Sequence, residues 1–211
     1  MPDNIEFSIL ESILWKEGEF TLLEYHLRRM KNSATEFGFL FREEDFYGTL
    51  DRICRDGCDH GTPAKVRIFL SREGTMRGDA EHIVPILSRE VKVWQTPIDP
   101  DNKFLYHKTT VRDHYREASE VLADNGYADI LFFNKRGEMT EGTRANFFWR
   151  EGEALYTPPV ICGLLPGTYR ASLLDLGIVR EKVIPYSGLA HADKIFIGNS
   201  VRGLIEVNVL T

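Results

Sequence analysis

Long apolar runs are missing from this chain: none approaches the roughly 18 consecutive apolar residues that a membrane-spanning helix requires. The opening stretch MPDNIEFSIL has neither the basic nor the apolar region of a secretory signal, so the expectation is a cytoplasmic protein with no membrane association. Cysteine is scarce, with Cys54, Cys58 and Cys162 the three present. An odd number without an export signal argues against a disulfide framework. The stretch CRDGCDH gathers Cys54, Cys58 and His60, but a structural zinc site wants four ligands and the second knuckle is absent, so no metal is expected. Positive charge is also in deficit, 26 Lys and Arg against 32 Asp and Glu for a net charge of -6. Without a basic stripe the chain does not advertise nucleic acid as a partner, and any anionic ligand has to be held by local groups. Repeats and low-complexity segments are lacking too.

What is present is enough for globular cores. The chain has 211 residues, 43% of them hydrophobic, which suits one large domain or two small ones. IEFSILESILWKEGEF mixes β-branched and aromatic residues and turns at KEGE, predicting a hairpin. In TLLEYHLRRMKNSATEFGF, Thr21 and Glu24 suggest a capping box, Leu23, Leu27, Met30, Ala34 and Phe37 share a helix face, and Gly38 suits the C-terminal cap. A shorter helix is expected around 43–54, with Cys54 packing on it and Cys58 in a turn. The strand AKVRIFLS follows, and IVPILSREVKVWQ gives extended structure broken at Pro85.

TPIDPDNKF is rich in turn formers, so a boundary is placed there, giving a small α+β unit over 1–95 and a second unit over 96–211. The second opens with the Lys108 region and a helix from about 111 to 125 whose apolar side includes Tyr115, Ala118 and Leu122 and which stops at Gly126. A meander of strands follows, then a loop GLLPGTYR entering a helix, then strands VREKVI, DKIFIGNS and GLIEVNVL around a short helical link. Strands without regular crossover helices point to a barrel-like α+β domain rather than a doubly wound sheet.

Polar residues interrupt these elements in places that suit chemistry. In LLPGTYR, Gly167 and Thr168 stand where a helix begins, and free N–H groups there bind phosphate. IFIGNSVRG runs an apolar strand into Gly198, Asn199 and Ser200, small donors suited to the same anion. Arg29, placed on the exposed side of the first helix, supplies a cation. Each feature alone is also compatible with ordinary capping or a solvated side chain; together they ask for a phosphorylated ligand. YHKTTVRDHY sets Lys108 just ahead of a helix, and MTEGTRANFF sets Glu141 at a strand end. An isolated lysine is usually idle and a hairpin glutamate is usually solvated. Pyridoxal phosphate, however, wants an amine, an acid for its ring nitrogen and an anion cradle at once.

The chain resembles the class IV aminotransferases, or fold-type IV pyridoxal phosphate enzymes, through EYHLRRM, AKVRIF, YHKTTVR, GEMTEGTRANFF, LYTPP, GLLPGTYR and ADKIFIGNSVRG, in the family's order over nearly the whole chain. The resemblance implies an α+β fold with a small N-terminal domain and a larger barrel-like C-terminal domain. It implies pyridoxal 5'-phosphate as cofactor, Lys108 as the Schiff-base lysine, Glu141 as partner of the ring nitrogen, and Arg29, Leu165, Gly167, Thr168, Asn199 and Ser200 around the phosphate. HKTT followed by Arg112, GLLPGT and GNSVRG are similar to the aminodeoxychorismate lyases of the family. Branched-chain aminotransferases instead usually carry tyrosine where Asp113 stands and GTA where GNS stands. The implied activity is release of pyruvate from 4-amino-4-deoxychorismate to leave 4-aminobenzoate, in folate precursor synthesis alongside aminodeoxychorismate synthase. The alternatives are transamination of branched-chain or D-amino acids, and cofactor binding without catalysis. Such a substrate carries two carboxylates, so Arg144, Arg202 and Arg112 are candidate grips, with Arg67 more simply read as pointing outward on its strand. His107 is expected to pack behind Lys108. The family's extra N-terminal strand and GDGxFET-like segment have no counterpart ahead of FSILESILW, so the small domain is expected to be truncated there. A homodimer is also implied.

Overall fold

The computed structural model describes residues 6–59 and 61–210. They divide into two compact units, Met1–Val84 with His107–Val111, and Pro85–Tyr106 with Arg112–Thr211. His60 lies outside the described residues, and among those described no group of three or more His, Cys, Asp or Glu is placed to hold a metal ion. No helix among them is long and apolar enough to cross a membrane.

The first unit is a sheet packed against two helices. Strand β1 (Ile9–Lys16) turns at Glu17 and Gly18, both at positive φ, into β2 (Glu19–Phe20), as the KEGE turn predicted. Helices α1 (Leu23–Phe37) and α2 (Glu43–Gly57) follow, then β3 (Ala64–Leu70) and β4 (Met76–His82), in the sheet order β2-β1-β3-β4. Leu27, Met30 and Ala34 of α1 and Phe46, Leu50 and Ile53 of α2 are buried, joining Ile9, Ile13, Val66 and Ile68 in one core. Gly38 ends α1 at φ 66, as expected.

Three local expectations are corrected. The Thr21 and Glu24 capping box does not form: the N-cap is Leu22 at φ 56 without a side-chain cap bond, and Glu24 accepts the Tyr47 hydroxyl at 3.3 Å. The second helix runs on past Cys54 to Gly57, with Cys58 beyond it in extended backbone. Strand β4, MRGDAEH, was not anticipated because it lacks β-branched residues. It forms because Gly78, opposite Ile68, lets the chain pass where a Cβ would overlap the Arg67 carbonyl.

The second unit holds β5 (Glu90–Val93), α3 (Arg116–Asn125), β6 (Asp129–Phe133), β7 (Met139–Gly142), β8 (Asn146–Glu151), β9 (Ala154–Thr157), α4 (Thr168–Asp175), β10 (Val179–Glu181), β11 (Lys194–Asn199) and β12 (Gly203–Leu210). A short 3₁₀ turn over Asp113–Tyr115 precedes α3, so the expected helix starts later, and it ends at Gly126 as read. The sheet order is β10-β9-β8-β11-β12-β5-β6-β7, and an added pairing of β7 with β8 closes the run from β8 to β7 on itself. β5 lies between β12 and β6, parallel to both, which assigns residues 90–93 to this unit although the composition set them ahead of the boundary. Parallel and antiparallel pairs mix, and the result is the barrel-like α+β architecture, not a doubly wound one. Met139, Phe147, Ile197 and Val91 fill one side of the sheet; Phe148 and Phe196 pack with Leu173 of α4 on the other.

Phe147 is fully buried in the closed ring. Phe147→Ala is expected to destabilise the protein by about 3–5 kcal/mol, read as a lower urea midpoint with an unchanged slope.

Candidate functional site

Alternation along β1 sends Ile9, Glu11, Ile13 and Trp15 inward. Glu11 therefore lies fully buried among apolar neighbours, where a lone carboxylate is costly. Two residues of α1, one turn apart, answer it. Arg29 donates from Nε to Oε1 at 2.8 Å and from its terminal nitrogen to Oε2 at 2.6 Å, while His26 Nδ1 meets Oε2 at 2.6 Å. Burial works against ionisation of Glu11, but the Arg29 charge, with the bonds from Arg29 and His26, outweighs it and brings the carboxyl down to about 2. Burial holds His26 below its ordinary value, so Arg29 is the cation of this trio and His26 a neutral hydrogen-bond donor. The Arg29 side chain is 10% exposed, which corrects the expectation of an exposed position.

The Lys108 segment attaches to the start of this same strand. The Lys108 carbonyl accepts the Leu10 N–H at 2.9 Å, Thr109 bridges Ile9, and Thr110 N–H donates to Ser8 at 2.9 Å. The Lys108 charge also bears on His26, so the first unit, not the second as the boundary after residue 95 implied, assembles Lys108 with Arg29 and the buried Glu11. His107 packs as expected, edge-on to Phe37 with its Nδ1 3.0 Å from the Ser33 hydroxyl. Arg67 points outward to Asp79 at 3.1 Å.

The second unit assembles the Glu141 group. Glu141, 6% exposed, pairs across the sheet with Asn146 at the closure of β7 on β8. Its Oε1 accepts the Tyr115 hydroxyl at 3.0 Å and the Leu165 N–H at 3.1 Å, and its Oε2 accepts Asn146 Nδ2 at 3.1 Å. Burial, reinforced by the Glu141 charge, pushes the Tyr115 phenol well above its ordinary value, so it stays a donor. Asn146 also donates to the Leu165 carbonyl at 3.0 Å, tying the GLLPGT loop to the same spot. Gly167, the N-cap of α4, is required there because a Cβ would overlap Asn146 Oδ1. Thr168 follows, buried, as the first residue of the helix.

Asp129 was missed by the sequence reading. Fully buried at the head of β6, it accepts the N–H groups of Ile130 at 2.8 Å, Thr143 at 2.9 Å and Arg144 at 3.2 Å, and the Thr143 hydroxyl. A Cβ on Gly142 would overlap its carboxylate. Arg112 braces the same turn, donating to the Thr143 carbonyl with its guanidinium 5.2 Å from the Tyr115 ring centroid. Arg144 is then presented outward, and Arg202 lies near enough that burial first, and the Arg144 charge second, hold it below its ordinary value. Asn199 Nδ2 donates to the Arg144 carbonyl at 3.1 Å, and half-buried Ser200 follows at the end of β11. The signal for Glu11 and Asp129 was available: an acid in the inward register of an apolar strand, ILESILW, and at the head of an apolar one, DILFF.

A closed mixed sheet, a small α+β unit, and a buried carboxylate beside a glycine-capped helix define a fold-type IV enzyme architecture. The family model for amino-transferase class IV matches residues 8–210, and the chain belongs to that family. It is 30% identical over 209 residues to a Schizosaccharomyces pombe protein named "Putative aminodeoxychorismate lyase", covering 93% of this chain and 87% of that one. It is 23% identical over 220 residues to the Bacillus subtilis aminodeoxychorismate lyase, covering 93% and 75%. Among solved structures, a Mesorhizobium loti "Putative amino-acid aminotransferase" superposes with a TM-score of 0.89 at 33% identity, over 97% of this chain and 100% of that chain.

Acid should unfold the first unit through Glu11 and His26. Glu11, at about 2 folded against 4.5 ordinarily, contributes on the order of 3 kcal/mol above pH 4.5 that is lost as pH falls towards 2. His26, also lowered, adds a loss of the same sign as pH falls through its ordinary range. Urea unfolding at pH 7, 5 and 3 measures the slope, and Glu11→Gln is expected to flatten its lower part.

Proposed function

We propose that this chain is a pyridoxal 5'-phosphate-dependent lyase that converts 4-amino-4-deoxychorismate to 4-aminobenzoate and pyruvate. The observation that carries the reading is Glu141, a buried carboxylate aligned by three donors, Tyr115, Asn146 and the Leu165 N–H. The residues fit the cofactor: an acceptor-only group suits a protonated ring nitrogen, and the close approach of Gly167 to Asn146 brings the start of α4 against the same loop. When bound, pyridoxal phosphate supplies an aldehyde that condenses with amines and a ring that takes up electron density released beside the amine.

Lys108 is assigned as the amine that holds the cofactor, then takes the proton from the amine-bearing ring carbon of the substrate at Nζ and returns one to the departing pyruvyl group. Glu141 holds the proton on the ring nitrogen. Tyr115, too weak an acid to lose its own proton, donates its hydroxyl to Glu141 and orients it. Arg29, set by Glu11, and the α4 N-terminus with Thr168 are assigned to the phosphate, joined by the Ser200 hydroxyl and the backbone of its turn. Arg144 and Arg202, with Arg112 behind them, take the substrate carboxylates. The names of the S. pombe and B. subtilis relatives support the lyase over the transaminase, as does Arg112 following HKTT. A second reading, transamination of branched-chain or D-amino acids, draws on the likeness to the M. loti protein; binding without turnover is a third. The family resemblance supports a cytoplasmic homodimer, which sedimentation would test.

The purified protein, loaded with pyridoxal phosphate and given 4-amino-4-deoxychorismate made by its synthase, is expected to release 4-aminobenzoate and pyruvate with no keto acid added. Amino acids that bleach the cofactor's visible band while no 4-aminobenzoate forms would establish the transaminase instead. Lys108→Ala is expected to abolish both the band and turnover, and Glu141→Gln to keep the band and lower turnover by roughly 100-fold or more.

A further inference from the structure

Asn199 ends β11, and its side-chain amide is used at both ends. Nδ2 donates to the Arg144 carbonyl at 3.1 Å; Oδ1 accepts the Val201 N–H at 3.1 Å and the Arg202 N–H at 3.0 Å. The orientation is forced, since the reverse would set an NH₂ group against two N–H donors. One amide thus clamps the backbones of two arginines that are 58 positions apart in the chain. The Arg144 turn is also gripped from its far side, by Asp129 at the N–H groups of Thr143 and Arg144 and by Arg112 at the Thr143 carbonyl. The Arg144 backbone is thus held at both its N–H and its carbonyl, while its side chain is exposed.

The Asn199 clamp joins the backbones of the two arginines, the Arg144 charge bears on Arg202, and neither has an ion-pair partner among the described residues. Like charges brought close repel, and an anion shared between them relieves that repulsion; a clamp on both backbones suits such an anion.

We propose that Asn199 is a positioning residue whose amide sets the spacing of Arg144 and Arg202, so that both guanidinium groups close on one carboxylate of a cyclic carboxylic-acid substrate. This deepens the reading above and rests on its assignment of the two arginines to substrate. It also separates Asn199 from Ser200 in the same turn: the amide acts through the arginines, and the phosphate is left to the hydroxyl and the backbone.

Benzoate is the probe, titrated calorimetrically into the full-length protein saturated with pyridoxal phosphate, with cofactor affinity measured separately by absorbance. Asn199→Ala is expected to weaken benzoate about tenfold, the loss of one well-placed hydrogen-bonded contact, and to leave cofactor affinity within about twofold. Asn199→Asp, which keeps the acceptor for Val201 and Arg202 and loses the donor to Arg144, is expected to weaken benzoate as well. In an Arg144→Ala background the same Asn199→Ala change should cost much less, because its route of action is gone. Full additivity in that background would show a merely structural role and overturn the proposal. So would unchanged benzoate affinity with weakened cofactor binding, or a wild-type protein that does not bind benzoate. A protein that makes no 4-aminobenzoate yet shows the coupling keeps the clamp and loses the lyase assignment.

Discussion

Closure of the second unit's sheet depends on one cross-strand pair, Glu141 with Asn146, and the side chains of that pair are also the heart of the candidate site. A carboxylate this deeply buried is tolerated because Tyr115, Asn146 and the Leu165 amide all donate to it. Each donor comes from a different stretch: the turn ahead of α3, the start of β8 and the loop before α4. Satisfying the one carboxylate therefore fixes three segments relative to each other. Gly167 is drawn into the same arrangement because its Cβ would occupy space that Asn146 needs.

The first unit uses the same physics with a different acid. Glu11 occupies an inward position in β1 and is neutralised by Arg29 from α1, with His26 completing its hydrogen bonds. A buried ion pair is a weak source of net stability but a strong constraint on geometry, since breaking it strands a charge. Here the constraint orients an arginine on the unit whose first strand also receives the Lys108 segment. The phosphate-binding and amine-bearing roles proposed for Arg29 and Lys108 thus share one rigid support.

The second acid that the chain hides, Asp129, holds no proposed reactant. It takes up the N–H groups of the Thr143–Arg144 turn, leaving the arginine directed outward, with Arg112 and Asn199 taking the carbonyls of that turn. Backbone groups in a turn have no ladder to satisfy them, so side chains from distant segments do so. That is how a short loop becomes stiff enough to present a charge.

Element identity was written locally. The 3.6-residue spacing of Leu27, Met30 and Ala34, the Gly38 and Gly126 caps and the succession of apolar strands and turns after residue 128 needed only neighbouring residues to be read. The GLLPGT and GNSVRG stretches could be picked out in the same way, as glycine and small polar residues at the ends of apolar elements, whereas Lys108 and Glu141 drew their reading from the combination of motifs and the family resemblance. Only the tertiary structure decided what those residues touch. The closure of β7 on β8, the insertion of β5 between β12 and β6, the failure of the Thr21 capping box, the burial of Glu11 with Arg29 and the clamping of Arg144 by Asn199 all join residues distant in the chain or set local rules against packing. A sequence states which groups must be satisfied when buried, and folding selects their partners, because hydrogen bonds and charge pairs act through space and not along the chain.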